Sequence, residues 1–289
     1  GPGHIWSASR LELYAKCPLQ FLAGSLLRLE RREPPEPGLD AAQLGSLLHA
    51  ILEQAYQDAD DPSDPVSVLE VLRNTAARAF EEAPEVYGFR PTAYWDIEKA
   101  QLYSILEQVV EALGEQHAAG GWEPYAYEAP FGMQGVPSVE VSEGGEEFLF
   151  RGLIDRVDRR AGGEVCVIDY KTGSSHLTRK DYVEGWRLQL PLYALAAEGM
   201  GLGATTQGMY WALMANKPGR PLLEDFKVEI DSRQLRGVEG AVQLAKEHTA
   251  RIIRSIRGGR FQPQPPDEGC PAYCPAAGWC WRYKPGRWA

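Results

Sequence analysis

Residues 148–173, FLFRGLIDRVDRRAGGEVCVIDYKTG, read as two adjacent apolar strands that end in charges, over 147–159 and 164–171, and the side chains of a strand repeat with a period of two. On that period Asp155 shares a face with Leu149, Leu153 and Val157, and Asp169 and Lys171 share one with Val165 and Val167. Cys166, Ile168 and Tyr170 take the opposite face. The second strand is thus apolar on both sides, as in the middle of a covered sheet. A strand over 136–141 precedes them, and Glu143-Gly144-Gly145 and Ala161-Gly162-Gly163 read as the hairpin turns of an antiparallel meander.

Before the strands the spacing is helical. Ser9-Arg10-Leu11-Glu12 has the form of a capping box opening a short helix that carries Tyr14 and reaches Cys17-Pro18; a second apolar helix follows over 19–29. Residues 31–40, RREPPEPGLD, form a Pro-rich loop. Leu44, Leu47, Leu48, Ile51, Leu52 and Ala55 make one apolar stripe, with His49 at its edge one turn before Glu53. After a turn cluster at 60–65, helices over 66–82 and 94–118 form a helical insertion spanning 60–120.

Residues 120–130 read as the turn into the sheet region. A helix over 181–198 carries Gln189 and Tyr193 on one face, 207–214 and 222–230 read as strands, and Asp231 caps a long helix ending near Arg257. The pattern predicts an α/β fold in a single domain over 1–289, with its core sheet and helix at 131–230.

Composition sets outer bounds. With 44% hydrophobic and 24% charged residues the chain is of ordinary globular type, and no apolar run approaches a membrane span. No secretory signal is present, so the expectation is a cytoplasmic protein with no membrane partner. The opening Gly1-Pro2-Gly3 resembles a protease scar, which leaves open that the chain is excised from a larger one. A net charge of −10 argues against a protein that coats nucleic acid, although a local basic channel would suffice for an enzyme acting on it. Arg251, Arg254 and Arg257, or Arg28, Arg31 and Arg32, could track a phosphate backbone or simply complement helix dipoles.

Chemistry enters with the carboxylates. An aspartate among Val and Leu side chains is costly unless something pairs with it, and two brought together also repel. A hard divalent ion such as Mg²⁺ or Mn²⁺ on Asp155 and Asp169 answers both costs, with Lys171 beside it where water could attack a phosphate. In the plainer reading Asp169 and Lys171 form an ion pair at a strand end and Asp155 pairs with an arginine. His49 alone reads as a structural side chain.

Cys270, Cys274 and Cys280 lie in a loop rich in Pro and Gly, where core packing does not account for them. Disulfides are disfavoured without export, so an iron–sulfur cluster or zinc is the better account, and either needs a fourth thiolate. Cys166 sits mid-strand among valines as a small hydrophobe. Cys17, in a helix-terminal Cys-Pro, becomes the choice, and the site would then clasp the two ends of the chain together.

These residues together resemble the RecB-like branch of the PD-(D/E)XK nucleases, in particular the iron–sulfur nucleases of AddB-type helicase–nuclease subunits and the CRISPR-associated RecB-like exonucleases. SASRLELYAKCP, GSLLHAILE, GLIDRVD, VIDYKTG, QLPLY and the closing cysteines occur in the family's order across nearly the whole chain. The resemblance implies a restriction-endonuclease-like core, a central mixed sheet flanked by helices. It implies that His49, Asp155, Asp169 and the Tyr170 carbonyl hold Mg²⁺ or Mn²⁺, and that Lys171 orients the attacking water or stabilises phosphate charge. Gln189 and Tyr193 match its Gln-x-x-x-Tyr motif near the active centre. A 4Fe–4S cluster on Cys17, Cys270, Cys274 and Cys280 is implied as well, although the three residues between Cys270 and Cys274 depart from the usual Cys-x-x-Cys and keep zinc open.

The function expected from the resemblance is a metal-dependent DNA exonuclease acting on single strands or DNA ends, in repair or recombination, beside a helicase domain or subunit. The alternative is a non-catalytic DNA-end binding or scaffold module that keeps the fold. Trp95, Trp186 and Tyr193 are candidate rings for stacking unpaired bases, against the plainer reading of each as core.

Overall fold

The doubly apolar run over 164–171 becomes the middle strand of a five-stranded mixed sheet; around it, the computed structural model describes residues 3–30, 37–173, 178–267 and 269–286. In chain order, β1 (Ile5–Trp6) leads to α1 (Ala8–Lys16) and α2 (Pro18–Phe21), which runs on as a π-helical turn, Leu22–Leu26. Next come α3 (Ala41–Asp58), α4 (Pro65–Tyr87), α5 (Trp95–Gly120), β2 (Glu123–Phe131), β3 (Val139–Glu143), β4 (Glu146–Phe150), β5 (Gly152–Arg159) and β6 (Glu164–Lys171). The remainder is α6 (Arg179–Val183), α7 (Gln189–Gly199), β7 (Ala204–Ala212), β8 (Lys217–Pro218), β9 (Lys227–Ile230), β10 (Arg233–Arg236) and α8 (Gly237–Arg257).

The main sheet has the order β2-β5-β6-β7-β8. Its one parallel pair, β6 with β7, is joined by a crossover that carries α7, as a parallel connection requires. Helices cover both faces. Val165 and Val167 pack with Leu11 of α1, Leu190 of α7 and Leu244 of α8. On the other side Cys166, Ile168 and Tyr170 meet Leu48 of α3, Leu72 of α4 and Leu106 of α5. The two-sided apolar pattern of β6 is thereby used in full, and the helices of 60–120 form a layer against the sheet. This is a restriction-endonuclease-like mixed α/β fold.

Several local expectations are corrected. The stretch 147–159 is two strands, not one: β4 joins β3 and β1 in a separate three-stranded sheet, and Arg151 N–H donates to the Trp6 carbonyl at the break. Leu149 therefore does not share a face with Asp155. Gly152 lies where a Cβ would come within 2.7 Å of the Phe131 ring and 2.9 Å of the Tyr193 ring, so the chain can pass there only without a side chain. Residues 123–131 form strand rather than turn; β2 is an edge strand, the place where Pro124 and Pro130 cost no ladder bond.

The helix over 181–198 divides into α6 and α7 at Gly185, whose φ is +73°, and the N–H groups of Trp186 and Arg187 both turn back to the Asp181 carbonyl. Ser9 and Glu12 make no capping box; α1 starts at Ala8, and Glu12 is buried instead. The capping box belongs to α3, where Asp40 accepts from Ala42 and Gln43 and the Gln43 side chain accepts from Asp40 N–H. Asp231 lies in the β9–β10 turn with φ of +49°, and Arg236 occupies the N-cap of α8.

Candidate metal centre

Strands β5 and β6 pair as far as Arg156 opposite Ile168 and then separate. Asp155 enters the gap, where Tyr170 N–H donates to its Oδ2 at 2.7 Å. On the other edge of β5, Tyr127 pairs with Arg156 and Ala129 with Ile154, which sets Glu128 opposite Asp155. Glu128 has φ of +41°, a conformation few residues with a side chain adopt and one often found at functional sites. From above, α3 lowers His49, whose Nδ1 lies 3.5 Å from Asp155 Oδ2 and 3.9 Å from Glu128 Oε1. One ligand atom from each of these three residues lies within 4.8 Å of the others, and no other such group of three occurs among the described residues. Glu128 was not anticipated from the sequence; the two prolines of β2 hid the strand that carries it.

Asp169 is fully buried beside this group but stands outside it. Lys171 Nζ holds its Oδ2 at 2.5 Å, while its Oδ1 has no hydrogen-bond partner. Lys171 in turn donates to Gln189 Oε1 at 2.9 Å, and Gln189 Nε2 donates to the Tyr193 hydroxyl at 3.1 Å. The plain ion pair of Asp169 with Lys171 is present. Asp155, by contrast, does not pair with an arginine: its neighbour Arg156 turns to the other face and bonds Asp158 at 2.6 Å.

Electrostatics mark the same residues. Burial, opposed by the Tyr170 N–H and aggravated by Glu128, pushes Asp155 up to about 7. Burial and then the charge of Asp155 raise Asp169 to about 7, and burial with the charges of Glu53 and Asp169 raises Glu128 to about 7. Burial depresses His49, while a hydrogen bond to the Tyr170 backbone works the other way. Three carboxyls that burial and mutual repulsion hold up to about 7, one neutral imidazole and the unpartnered Oδ1 of Asp169 form a donor set suited to a hard divalent cation. The site opens into a cavity of about 530 Å³ lined by Gly45, His49, Lys171, Thr172 and Arg187.

Behind the sheet lies a buried polar cluster. Arg156 binds Asp158, His117 Nε2 lies 2.5 Å from Asp158 Oδ2, and the Arg156 guanidinium stacks 4.3 Å from the Tyr56 ring and 5.9 Å from that of Tyr127. Tyr127, Arg156 and Tyr170 are the sequence neighbours of Glu128, Asp155 and Asp169. The cluster therefore holds all three strands in register from the face opposite the carboxylates.

The cysteines converge at the ends of the chain. Cys17 and Cys274 pack with Leu19, Ala23 and Ala276, and Cys280 lies against them. Cys270 is buried, and its charge, with those of Cys17 and Cys280, adds to burial in raising the Cys274 thiol. Cys166 stands apart in the helical layer's core. All are free thiols, and no three of their sulfurs lie within 4.8 Å of one another.

Other candidates are employed elsewhere. Arg254 and Arg257 bind Glu146, Arg254 also binds the Gly144 carbonyl, and Arg251 bonds His248, so this row clasps the β3–β4 hairpin. Arg31 and Arg32 lie outside the described residues. Trp95 is buried between Phe80 and Phe89, and Trp186 lies under Lys180.

A mixed sheet between two helical layers, with buried acidic residues and a lysine where strands part, is the arrangement of a restriction-endonuclease-like nuclease fold. The chain belongs to the PD-(D/E)XK nuclease superfamily, whose family model matches residues 5–281. It is similar to an ATP-dependent helicase/deoxyribonuclease subunit from Carboxydothermus hydrogenoformans, with 31% identity over 81% of this chain and 22% of that protein. The corresponding protein of the same name from Symbiobacterium thermophilum is 34% identical over 66% of this chain and 17% of its own length. The chain thus spans about a fifth of the relatives it matches.

Proposed function

We propose that the chain is the nuclease module of a helicase–nuclease: a metal-dependent DNA exonuclease that hydrolyses single strands or DNA ends in repair or recombination. The observation that carries this reading is the meeting of His49, Glu128 and Asp155 beside a buried Asp169 whose Oδ1 has no partner and whose Oδ2 holds Lys171, at the mouth of a cavity that Lys171 also lines. The names of the relatives supply the helicase partner and the DNA substrate.

The donor set fits Mg²⁺ or Mn²⁺, hard ions that prefer oxygen ligands. His49, Glu128, Asp155, Asp169 and the Tyr170 carbonyl would hold it. When bound, such an ion neutralises phosphate charge and acidifies water. Lys171, fixed by Asp169 and Gln189, is placed to orient the attacking water and to meet charge growing on the phosphoryl oxygens. Phosphates rather than base edges are contacted, so cleavage is independent of sequence.

The same reading places a 4Fe–4S cluster on Cys17, Cys270, Cys274 and Cys280. Protein purified without oxygen should be brown and contain iron; colourless protein with stoichiometric zinc would refute the cluster. For activity, single-stranded DNA labelled separately at each end is incubated with Mn²⁺ and the native chain or Lys171→Ala. Cleavage by the native chain alone, progressive from one labelled end, is expected. DNA bound but uncut by both would instead establish a scaffold module.

A further inference from the structure

A second cavity, of about 660 Å³, lies between α1, the α6–α7 turn and the cysteine loop. Arg187 lines both this cavity and the one at the metal centre, so the two adjoin at its side chain. Lys16 of α1 lines the second cavity too, and Tyr273, on the cysteine loop, leaves 67% of its surface exposed at the rim.

Two cations, Lys16 and Arg187, and two carboxylates, Glu12 and Asp181, line this wall, and they differ in what engages them. Among the described residues neither Lys16 nor Arg187 forms an ion pair, and the Arg187 guanidinium lies 5.9 Å from the Tyr210 ring. The acids nearby are occupied by backbone. Glu12 Oε1 accepts from Leu188 N–H at 2.7 Å and Gln189 N–H at 2.9 Å, while Asp181 Oδ2 accepts from Thr178 N–H at 2.6 Å and its hydroxyl at 2.7 Å. Burial depresses the Lys16 ammonium, and the charges of Arg187 and Lys171 press it in the same direction against Glu12 and Asp181. In a chain of net charge −10, three cations are gathered from the metal centre outward, and only Lys171 has a carboxylate partner.

We propose that this second cavity is the track for the nucleotides next to the scissile phosphate of a single strand, with Arg187 binding the adjacent phosphate, Lys16 the one beyond, and Tyr273 stacking on a base. Only an unpaired base can offer its face to that ring, which favours a single strand over a duplex. The assignment rests on the nuclease reading above and extends it to substrate contacts that neither the metal ligands nor the thiolates provide.

The test is equilibrium binding of a fluorescent oligothymidylate to the full chain in EDTA, across a series of KCl concentrations. Each neutralised phosphate of a single strand contributes ~0.7 to the slope of log affinity against log salt. Lys16→Gln and Arg187→Gln should each lower the slope by ~0.7, and together by ~1.4. Lys16→Arg should keep the native slope, and so should Arg220→Ala, at an exposed arginine paired with Asp225. Tyr273→Ala should weaken binding about 5- to 150-fold, the range of lost base stacking, at unchanged slope.

An unchanged slope in the double variant would overturn the proposal, as would an equal fall in Arg220→Ala. Loss of slope in Lys16→Arg would also overturn it, because charge would not be what matters. Melting temperatures of each variant separate these results from misfolding. If the native chain cuts end-labelled DNA while the double variant keeps its slope, this assignment alone fails; if the native chain cuts nothing, the nuclease reading fails.

Discussion

Glu128 and Asp155 face each other across β2 and β5, with His49 Nδ1 within 3.9 Å of the first and 3.5 Å of the second. Two part-buried carboxylates whose shared neighbour is an imidazole held neutral by burial are best reconciled by a cation. Glu128→Gln keeps the shape and removes the charge. The Mn²⁺ concentration for half-maximal cleavage should rise at least ~10- to 100-fold, the loss that even an outer partner of a metal site causes. An unaltered Mn²⁺ titration would show that Glu128 is a bystander.

Crowded carboxyls also make the metal-free protein sensitive to pH. Asp155, Asp169 and Glu128 are each raised to about 7, so the folded chain holds protons that the unfolded chain releases above pH ~4. The destabilisation is absent below that pH, grows between ~4 and 7, and is complete above. Asp169→Asn should therefore melt a few degrees above the native chain at pH 8 in EDTA and alongside it at pH 4.5, while losing cleavage. His248, depressed to about 4 by burial and Arg251, acts in the opposite sense but is common to both proteins. Equal melting at pH 8 would remove electrostatic crowding from the account.

The sequence made β6 legible because its two periods of apolar residues meet two different helical layers, and that contrast survives in the packing of Val167 against Cys166. His49, by itself an ordinary helix residue, drew meaning only from the motif around it. Glu128 was hidden for a physical reason: Pro124 and Pro130 break the strand pattern, and only a sheet edge excuses them. The break at Arg151 was hidden for another. Nothing in 147–159 reads as a turn strong enough to end a strand, and what separates β4 from β5 is a tertiary contact, the Arg151 bond to Trp6 far away in sequence. The arginine row of α8 looked like a binding face because the hairpin that occupies it is remote in sequence.

Arg156 and Asp158 are both buried, and breaking such a pair leaves the other charge stranded, a loss of about 3–5 kcal/mol. Asp158→Asn should cost that much in urea unfolding. Replacing both, Arg156→Met with Asp158→Leu, should cost less than the single change, since no charge is then left alone. Because Tyr127, Arg156 and Tyr170 adjoin the three carboxylates, Asp158→Asn should weaken Mn²⁺ binding as well. A single variant within ~1 kcal/mol of native stability would mean that water reaches and solvates the cluster.

Gln189 holds Lys171 with one end of its amide and Tyr193 with the other. The two contacts are unequal in consequence. Gln189→Ala frees the Lys171 ammonium from the position that meets the phosphate, and misplacement of a reacting group by about 1 Å can cost ~100-fold in rate. Tyr193→Phe removes one neutral hydrogen bond, worth about 0.5–1.5 kcal/mol, and leaves Lys171 on Gln189. The expected order in kcat on single-stranded DNA is native, then Tyr193→Phe within roughly tenfold, then Gln189→Ala near ~100-fold down. Melting should hardly move for Gln189→Ala, whose side chain is only part-buried. Equal damage from both substitutions would mean that Tyr193 touches the substrate itself rather than acting through Gln189.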